Sequence, residues 1–383
     1  MKELLLSRDV KEDKKEVLVK TFFVPLQFNM KLHVFNPEHD IALAANLSNF
    51  TAPHAGRQLR TDLGYLPALW ADDGDVVLVD CVERADCLWR RLQHKTRSHH
   101  VEFVDKNQLR RLAIDAIEPW GWDVALCAQL RRWGIADSLL PTADYLKQLR
   151  VFSHRRQAAK LLSALRLYGT VGEAVECDSL DMVQSLLDEH GSLVLKAPWS
   201  SSGRGVRFVS DLNVHECNWL QNVIHRQGSV MAEIKYNKVK DFGMEFLADG
   251  KGNISYCGLS LFHTANGVYA GNLLATEAVK RMILSRYVSL DLLDAIRERI
   301  AENLHLEDYC GPFGIDMMAV RPQSCNEPIS ANSHCLIHPC VEINLRRTMG
   351  HAALAVAEDD DEARRIMRID FDGTNYKLKI RRL

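Results

Sequence analysis

The chain has 383 residues, of which 47% are hydrophobic and 26% are charged, values typical of a globular protein with two or three domains. Its net charge of −2 argues against a general nucleic-acid coat, which needs a clear basic excess. No apolar run reaches the roughly 18 residues of a membrane-spanning helix, and the start lacks the apolar stretch of a secretory signal. The ten cysteines form no CxxC pair, which favours free thiols in a reducing cytoplasm. We therefore expect a cytoplasmic protein that binds neither nucleic acid nor membranes.

Residues 1–29 differ in composition from the chain that follows. Met30 opens a clear strand pattern, residues 31–35, which ends at an Asn-Pro pair. Many α/β domains begin directly on such a strand. The sequence predicts that residues 1–29 are a loosely held extension, and an ordered helix packed on the next domain is the alternative.

Short Val-rich runs alternate with helical patterns in residues 30–150. Strands are predicted at 31–35, 75–80 and 101–105, and helices at 87–95 and 107–117. Strands that alternate with helices indicate a parallel sheet. We expect an α/β domain over residues 30–150.

The pattern changes at about residue 151. Residues 151–228 mix helices and strands, whereas strands dominate in residues 229–383, where a helix over 289–304 and a final helix from Thr348 are also predicted. No low-complexity linker separates the parts. The sequence predicts an α+β region in two lobes, with the bounds 151–228 and 229–383.

A Gly-rich loop joins two predicted strands between Lys196 and Val206. It is neither a dinucleotide fingerprint nor a P-loop, since both of those open a helix. Its glycines permit a tight turn, its small serines let backbone N–H groups approach an anion closely, and Lys196 could reach that anion. A plain hairpin with a solvated Lys196 is the alternative. The loop residues are Ser200, Ser201, Ser202, Gly203, Arg204 and Gly205.

An acid–amide–arginine row follows on a later strand. Glu342, Asn344 and Arg346 alternate, so the row shares one face of its strand, and Asp316 lies on the preceding strand. Two carboxylates and an amide are hard oxygen donors that suit Mg²⁺ carried with phosphates. Arg346 would add a clamp for an anion. The alternative is a solvent-facing polar strip on an edge strand.

In this order the motifs resemble the ATP-grasp superfamily, over roughly residues 150–352. The resemblance implies ATP bound between two α+β lobes, with residues 30–150 as the preceding α/β domain, and a reaction that joins a carboxylate to an amine. Lys196 and loop 200–205 match the phosphate contacts, and Glu233, Ile234 and Lys235 match the adenine hinge. Asp241 matches the ribose ligand. By the same resemblance Asp316, Glu342 and Asn344 match the ligands of two magnesium ions, and Arg346 faces the reacting phosphate or the substrate carboxylate.

Two departures from the family pattern matter. The early lysine of the ATP lobe is replaced, so Arg155 would contact the phosphates, with Lys160 as the second choice. An insert over 321–337 separates Asp316 from Glu342, and its role is open. Four residues in or beside it resemble a metal cluster, although their spacing fits no standard zinc pattern. They are His334, Cys335, His338 and Cys340.

Polar residues after the first strand form a third candidate group. Asn36, Glu38 and Asp40 lie in a loop at the carboxyl end of that strand, where parallel sheets bind ligands, and Arg57 and Arg60 follow. Such a loop could contact the acceptor substrate, or Asn36 or Asp40 could cap a helix. Three strand residues could face the same place or be ordinary strand residues, namely His263, Tyr269 and Asn272.

The leading hypothesis is therefore an ATP-dependent ligase that forms an acyl phosphate and then an amide, releasing ADP and phosphate. Lys196 and Arg346 would act in transfer. The alternatives are a nucleotide-binding module without ligase activity and a phosphotransferase on the same scaffold. The expected partners are small-molecule or peptide carboxylates and amines, and assembly as a homodimer is left open.

Overall fold

The structure is a computed structural model, and it describes residues 29–96, 100–200, 205–265, 268–321 and 335–383. These residues form eleven α-helices and four sheets of four strands each. Residues 1–28 of the predicted extension over residues 1–29, and most of the insert, lie outside the described residues. No helix of the described part is long and apolar enough to cross a membrane.

The first sheet is parallel throughout, in the strand order β3-β2-β1-β4. Its strands are β1 (Lys31–Val34), β2 (Val76–Leu78), β3 (Glu102–Val104) and β4 (Ala116–Pro119). Its helices are α1 (His39–Ala45), α2 (His54–Leu63), α3 (Val82–Leu92), α4 (Val124–Arg132) and α5 (Ala143–Phe152). The expected parallel sheet is confirmed.

The helix predicted over 107–117 is wrong. That stretch contains a short 3-10 turn, Leu109–Arg111, and then the edge strand β4. Ile117 packs into the core of the first sheet, and parallel pairing of β4 with β1 outweighs the helical spacing of the leucines and arginines.

The second sheet is antiparallel, in the order β5-β8-β6-β7. Its strands are β5 (Ala174–Cys177), β6 (Leu193–Lys196), β7 (Val206–Val209) and β8 (Val230–Ile234). Its helices are α6 (Arg156–Ala164), α7 (Leu180–His190) and α8 (Val214–Gln227). Gly191 ends α7 in the left-handed conformation that favours glycine, and Ser179 caps its start.

The third sheet, β10-β9-β13-β14, is also antiparallel. Phe246 and Phe313 stack in its core, with ring centroids 5.1 Å apart. Its strands are β9 (Asn237–Asp249), β10 (Ile254–Ser260), β13 (Cys310–Arg321) and β14 (Leu336–Asn344). The helices beside it are α9 (Glu277–Leu284) and α10 (Leu290–Asn303).

The fourth sheet, β11-β12-β15-β16, packs against α2 and α3 of the first part of the chain. Leu63 and Trp89 share one apolar core with Leu378 and Ile380. Its strands are β11 (Phe262–Ala265), β12 (Val268–Leu274), β15 (Arg365–Phe371) and β16 (Tyr376–Arg382), and helix α11 (Met349–Ala355) lies between β14 and β15. This packing brings the end of β14 against the first sheet, where Arg347 N–H donates to the carbonyl of Trp120 at 2.8 Å.

Candidate functional site

Two carboxylates face each other on neighbouring strands of the third sheet. Asp316 of β13 pairs with Glu342 of β14, and the amide of Asn344 donates to Asp316 at 3.3 Å. Asp316 also lies opposite Gly243 of β9. The two carboxylates and the amide, which lie far apart in the sequence, therefore meet in one place.

Asp316 is strongly affected by its surroundings. Burial, and after it the charges of Glu342 and Glu245, raise the pKa of Asp316 to about 7. Crowded carboxylates disfavour their own ionisation, and a cation between them would relieve that repulsion. Across the described residues, no three His, Cys, Asp or Glu side chains are grouped to hold a metal ion. A magnesium site here would instead combine the two carboxylates with an amide. Asp316, Glu342 and Asn344 all supply oxygen donors that fit this ion.

Arg346 lies just beyond β14 and joins this group to the first sheet. Its guanidinium donates to both oxygens of Asp40, at 2.9 and 2.8 Å, and to the side-chain oxygen of Asn344 at 3.0 Å. Burial acts to raise the pKa of Asp40, but the charge and hydrogen bonds of Arg346 outweigh it and hold that pKa below its usual value. Burial acts to lower the pKa of Arg346, but the charge and hydrogen bonds of Asp40 outweigh burial, so the pKa of Arg346 is raised above its usual value. Both side chains are therefore charged.

Arg155, at the start of α6, faces the same group. One terminal nitrogen, Nη2, donates to Glu342 at 2.6 Å. Arg155 is only 8% exposed, yet its Nε and Nη1 have no hydrogen-bond partner among the described residues. Lys160, the second choice, is exposed on α6. Buried donors without acceptors are costly, so the two free N–H groups of Arg155 are suited to an anionic ligand.

Lys196 is buried, which excludes the alternative of a solvated surface lysine. Its ammonium lies 2.5 Å from Glu233 and donates to the carbonyl of Val341 at 3.3 Å. Glu233 lies opposite Val194 on the neighbouring strand, so its side chain and that of Lys196 share one face of the second sheet. The contact with Val341 links the second sheet to the third.

The loop after β6 is described at its two ends only, and Ser201, Ser202, Gly203 and Arg204 lie outside the described residues. The hydroxyl of Ser200 is buried without a partner in the described part of the chain. Gly205 does not have a positive φ, but a Cβ on it would lie 2.2 Å from the Cβ of Ser200. Close packing, not unusual backbone geometry, therefore requires glycine at 205.

The predicted hinge residues lie at the end of β8 and directly after it. Ile234 ends that strand, Lys235 is exposed, and Asp241 lies on β9. Asp241 accepts hydrogen bonds from Lys238 at 2.7 Å and from the hydroxyl of Thr264 at 2.6 Å. Asp241 also pairs with Met318 of β13, close in sequence to Asp316. The predicted ribose residue therefore lies on the same sheet as the acidic pair, whereas the predicted hinge residues lie at the end of a strand of the second sheet.

The predicted loop over residues 36–40 runs into α1, which begins at His39, so Asp40 lies on the first turn of that helix. Only Asp40 reaches the site, whereas Glu38 binds Arg60 at 2.7 Å and Asn36 donates to the carbonyl of Gly121 at 2.8 Å. Arg57 donates to the carbonyl of Ala52. Neither Asn36 nor Asp40 caps α1, since its N-cap is Glu38 and no side chain caps it. The capping alternative is therefore wrong.

His263, Tyr269 and Asn272, the three strand residues that could face the same place, do not form one group. His263 is exposed, whereas Asn272 is fully buried and donates to the hydroxyl of Ser260 at 2.8 Å. Tyr269 donates to Asn272 at 2.5 Å. These contacts make Asn272 part of a buried polar network.

The sequence reading missed Glu245. It is 3% exposed on β9, accepts from the hydroxyl of Thr348 at 2.8 Å and lies 3.0 Å from His351. Its charge contributes to the raised pKa of Asp316. The alternation of Asp241, Gly243 and Glu245 on one strand face was the available signal.

A zinc cluster in the insert finds no support. His334 lies outside the described residues, and Cys335, His338 and Cys340 form no group that could hold a metal ion in the part that is described. Cys340 is buried near Lys196 and Glu233, and burial raises the pKa of its thiol.

A small cavity lies beside the site, lined among others by Asp40, Trp199, Ser200, Glu342 and Asn344.

No family model matches the sequence, and no curated protein matches it. Solved structures do match. The β-γ-ATP complex of biotin carboxylase from Campylobacter jejuni is 13% identical with a TM-score of 0.51, covering 91% of this chain and 77% of that chain.

Two further structures match at lower similarity. N5-carboxyaminoimidazole synthetase from Staphylococcus aureus is 12% identical with a TM-score of 0.48, covering 90% of this chain and 83% of that one. A putative ATP-grasp superfamily protein from Archaeoglobus fulgidus is 13% identical with a TM-score of 0.46, covering 92% and 99%. The parallel first sheet, the antiparallel sheets after it and the match to biotin carboxylase agree with the expected fold class: the chain has the ATP-grasp fold.

Proposed function

We propose that this protein is an ATP-dependent ligase that joins a carboxylate to an amine through an acyl phosphate and releases ADP and phosphate. The observation that carries the proposal is the meeting of Asp316, Glu342 and Asn344 with two arginines, the buried Arg155 and the partly buried Arg346. Two metal-binding carboxylates beside two cations suit phosphoryl transfer, and a pure binding module has no need of them.

ATP would lie between the second and third sheets, with its phosphates beside Arg155, Lys196 and Ser200. The buried N–H groups of Arg155 and the hydroxyl of Ser200, which have no partner within the described ranges, fit phosphate oxygens. Lys196 supplies a point charge, for which it would leave or share its contact with Glu233. Ser201, Ser202, Gly203, Arg204 and Gly205 would cover the phosphates with backbone N–H groups, while Glu233, Ile234 and Lys235 border the base and Asp241 the ribose.

Asp316, Glu342 and Asn344 would hold the magnesium ions, whose charge neutralises the phosphates during transfer. An oxygen of the substrate carboxylate attacks the γ-phosphorus, and the bond from that phosphorus to the β–γ bridging oxygen breaks, giving ADP. Arg346 would bind the acyl phosphate, with its guanidinium held by Asp40 and Asn344. The amine then attacks the acyl carbon and loses a proton as phosphate leaves.

The test is a screen of amino acids and small organic acids, singly and in pairs, for the release of ADP and phosphate. A ligase releases both only when a carboxylate and an amine are present together, and Asp316→Ala abolishes the release. Binding of ATP without any release would favour the nucleotide-binding module. ADP release with a stable phosphorylated product and no amine would favour the phosphotransferase.

A further inference from the structure

His338 is a buried histidine that the proposed reaction does not use. It lies on β14, is 0% exposed, and neither of its ring nitrogens has a hydrogen-bond partner among the described residues. Nearly all buried polar groups in proteins are hydrogen-bonded. A leucine or valine on this strand would fill the space without that cost, so the imidazole needs another explanation.

The ring of His338 projects from the third sheet towards the second. Its centroid lies 5.8 Å from that of Tyr236, with the rings edge to face, and Tyr236 directly follows the hinge residue Lys235. On another side it meets Gly172, where an added Cβ would lie 2.8 Å from Nε2 of His338. Gly172 comes just before β5 of the second sheet. His338 therefore lies at the hinge end of the junction between the two sheets.

The same junction contains Lys196. The lysine donates to the carbonyl of Val341, three positions after His338 on β14. Burial, and then the charge of Lys196, lower the pKa of His338 to about 3. The imidazole is consequently neutral at physiological pH and offers one donor and one acceptor. Such a group suits a neutral base, whereas the phosphates are matched by Arg155 and Lys196.

We propose that His338 recognises the purine base of the bound nucleotide, with a ring nitrogen hydrogen-bonded to the edge of the base. This inference rests on the proposed function, because it requires ATP to bind between the second and third sheets. It makes His338 a specificity-determining residue in addition to the hinge residues Glu233, Ile234 and Lys235.

The test compares ATP with inorganic tripolyphosphate, which has the phosphates but no base. In His338→Leu the Kd for ATP should rise about tenfold, as expected for one lost hydrogen bond, while the Kd for tripolyphosphate stays the same. The melting temperature of the ligand-free variant should hold or rise, because the change removes two buried nitrogens that have no partner in the described part of the chain. His338→Gln, which keeps a donor and an acceptor, should recover part of the ATP affinity.

His305→Leu is the matched control, since His305 is an exposed histidine, and it should change neither Kd. An unchanged ATP affinity in His338→Leu would overturn the inference, and so would an equal loss for both ligands, which would indicate a general distortion. Failure of the unaltered protein to bind ATP would overturn this inference and the proposed function together. Binding of ATP without ligase turnover, with the predicted losses in His338→Leu, would support the base contact and contradict only the ligase reaction.

Discussion

Arg346 donates two hydrogen bonds to Asp40, a residue 306 positions earlier in the chain. The contact joins the first turn of α1, which follows the first strand of the parallel sheet, to the end of the acid–amide–arginine row. Because Asn344 accepts from the same guanidinium, Asp40 helps to fix the geometry of the whole row. The first part of the chain thereby contributes directly to the candidate site.

Asp40→Asn should lower turnover at least tenfold and change the affinity for ATP by less than about twofold. The amide can accept only one of the two hydrogen bonds, so Arg346 loses its fixed orientation at the step of transfer. Phosphate release and ATP titration measure the two effects separately. Asp144→Asn is the control, since Asp144 is exposed and pairs with Lys147 on the surface of α5. Unchanged turnover in Asp40→Asn would contradict the positioning role.

Lys196→Ala should weaken ATP binding or slow transfer by about 100-fold, comparable to the loss of one well-placed electrostatic donor. It should also lower the free energy of unfolding by about 3–5 kcal/mol, because it leaves Glu233 buried without its partner. The double variant Lys196→Met with Glu233→Gln should recover most of the stability but not the ATP affinity. Urea unfolding and ATP titration measure both. Wild-type ATP affinity in Lys196→Ala would contradict the phosphate assignment.

Asp316→Asn should stabilise the protein in magnesium-free buffer at high pH. The folded protein holds the proton of Asp316 up to about pH 7, whereas the unfolded chain loses it near 3.8. The native carboxylate therefore costs stability progressively as the pH rises from about 4 through 7. The variant should gain up to about 4 kcal/mol at pH 8, at about 1.4 kcal/mol per pKa unit, and nothing near pH 4.

The measurement for Asp316→Asn is urea unfolding at several pH values, with the exposed Asp211→Asn as control. The same variant should lose magnesium-dependent turnover. A stability difference that does not depend on pH would show that Asp316 is not protonated in the folded protein. Wild-type turnover would remove Asp316 and, with it, Glu342 and Asn344 from the proposed metal site.

Gly205→Val should be severe for both folding and ATP binding. Its Cβ would overlap the side chain of Ser200, and overpacking of this kind typically costs about 1–3 kcal/mol. Ser200→Gly should restore stability when combined with Gly205→Ala, because it removes the opposing Cβ. Ser201→Ala should reduce stability and ATP affinity much less than Gly205→Val does, because the backbone N–H of residue 201 is retained. A harmless Gly205→Val in thermal unfolding and ATP titration would contradict this account.

Local sequence determined most of the secondary structure and the chemical character of the site. The helix over Leu180–His190 could be predicted to the residue, because Ser179 and Gly191 carry cap signals that depend on neighbours only. The acid–amide–arginine row could be found because a strand repeats every two residues. These signals, together with the Gly-rich loop, were enough to identify the ATP-grasp fold.

Only the tertiary structure decided which distant residues meet. The fourth sheet buries its apolar face on α2 and α3, and Asp40 of α1 meets Arg346 just beyond β14. Neighbouring elements decided that β4 forms where a helix was predicted, and that Lys196 is buried beside Glu233. The sequence also could not predict that the imidazole of His338 has no hydrogen-bond partner among the residues that the structure describes. Hydrogen-bond satisfaction depends on every group around a side chain, and no periodicity in the chain records those groups.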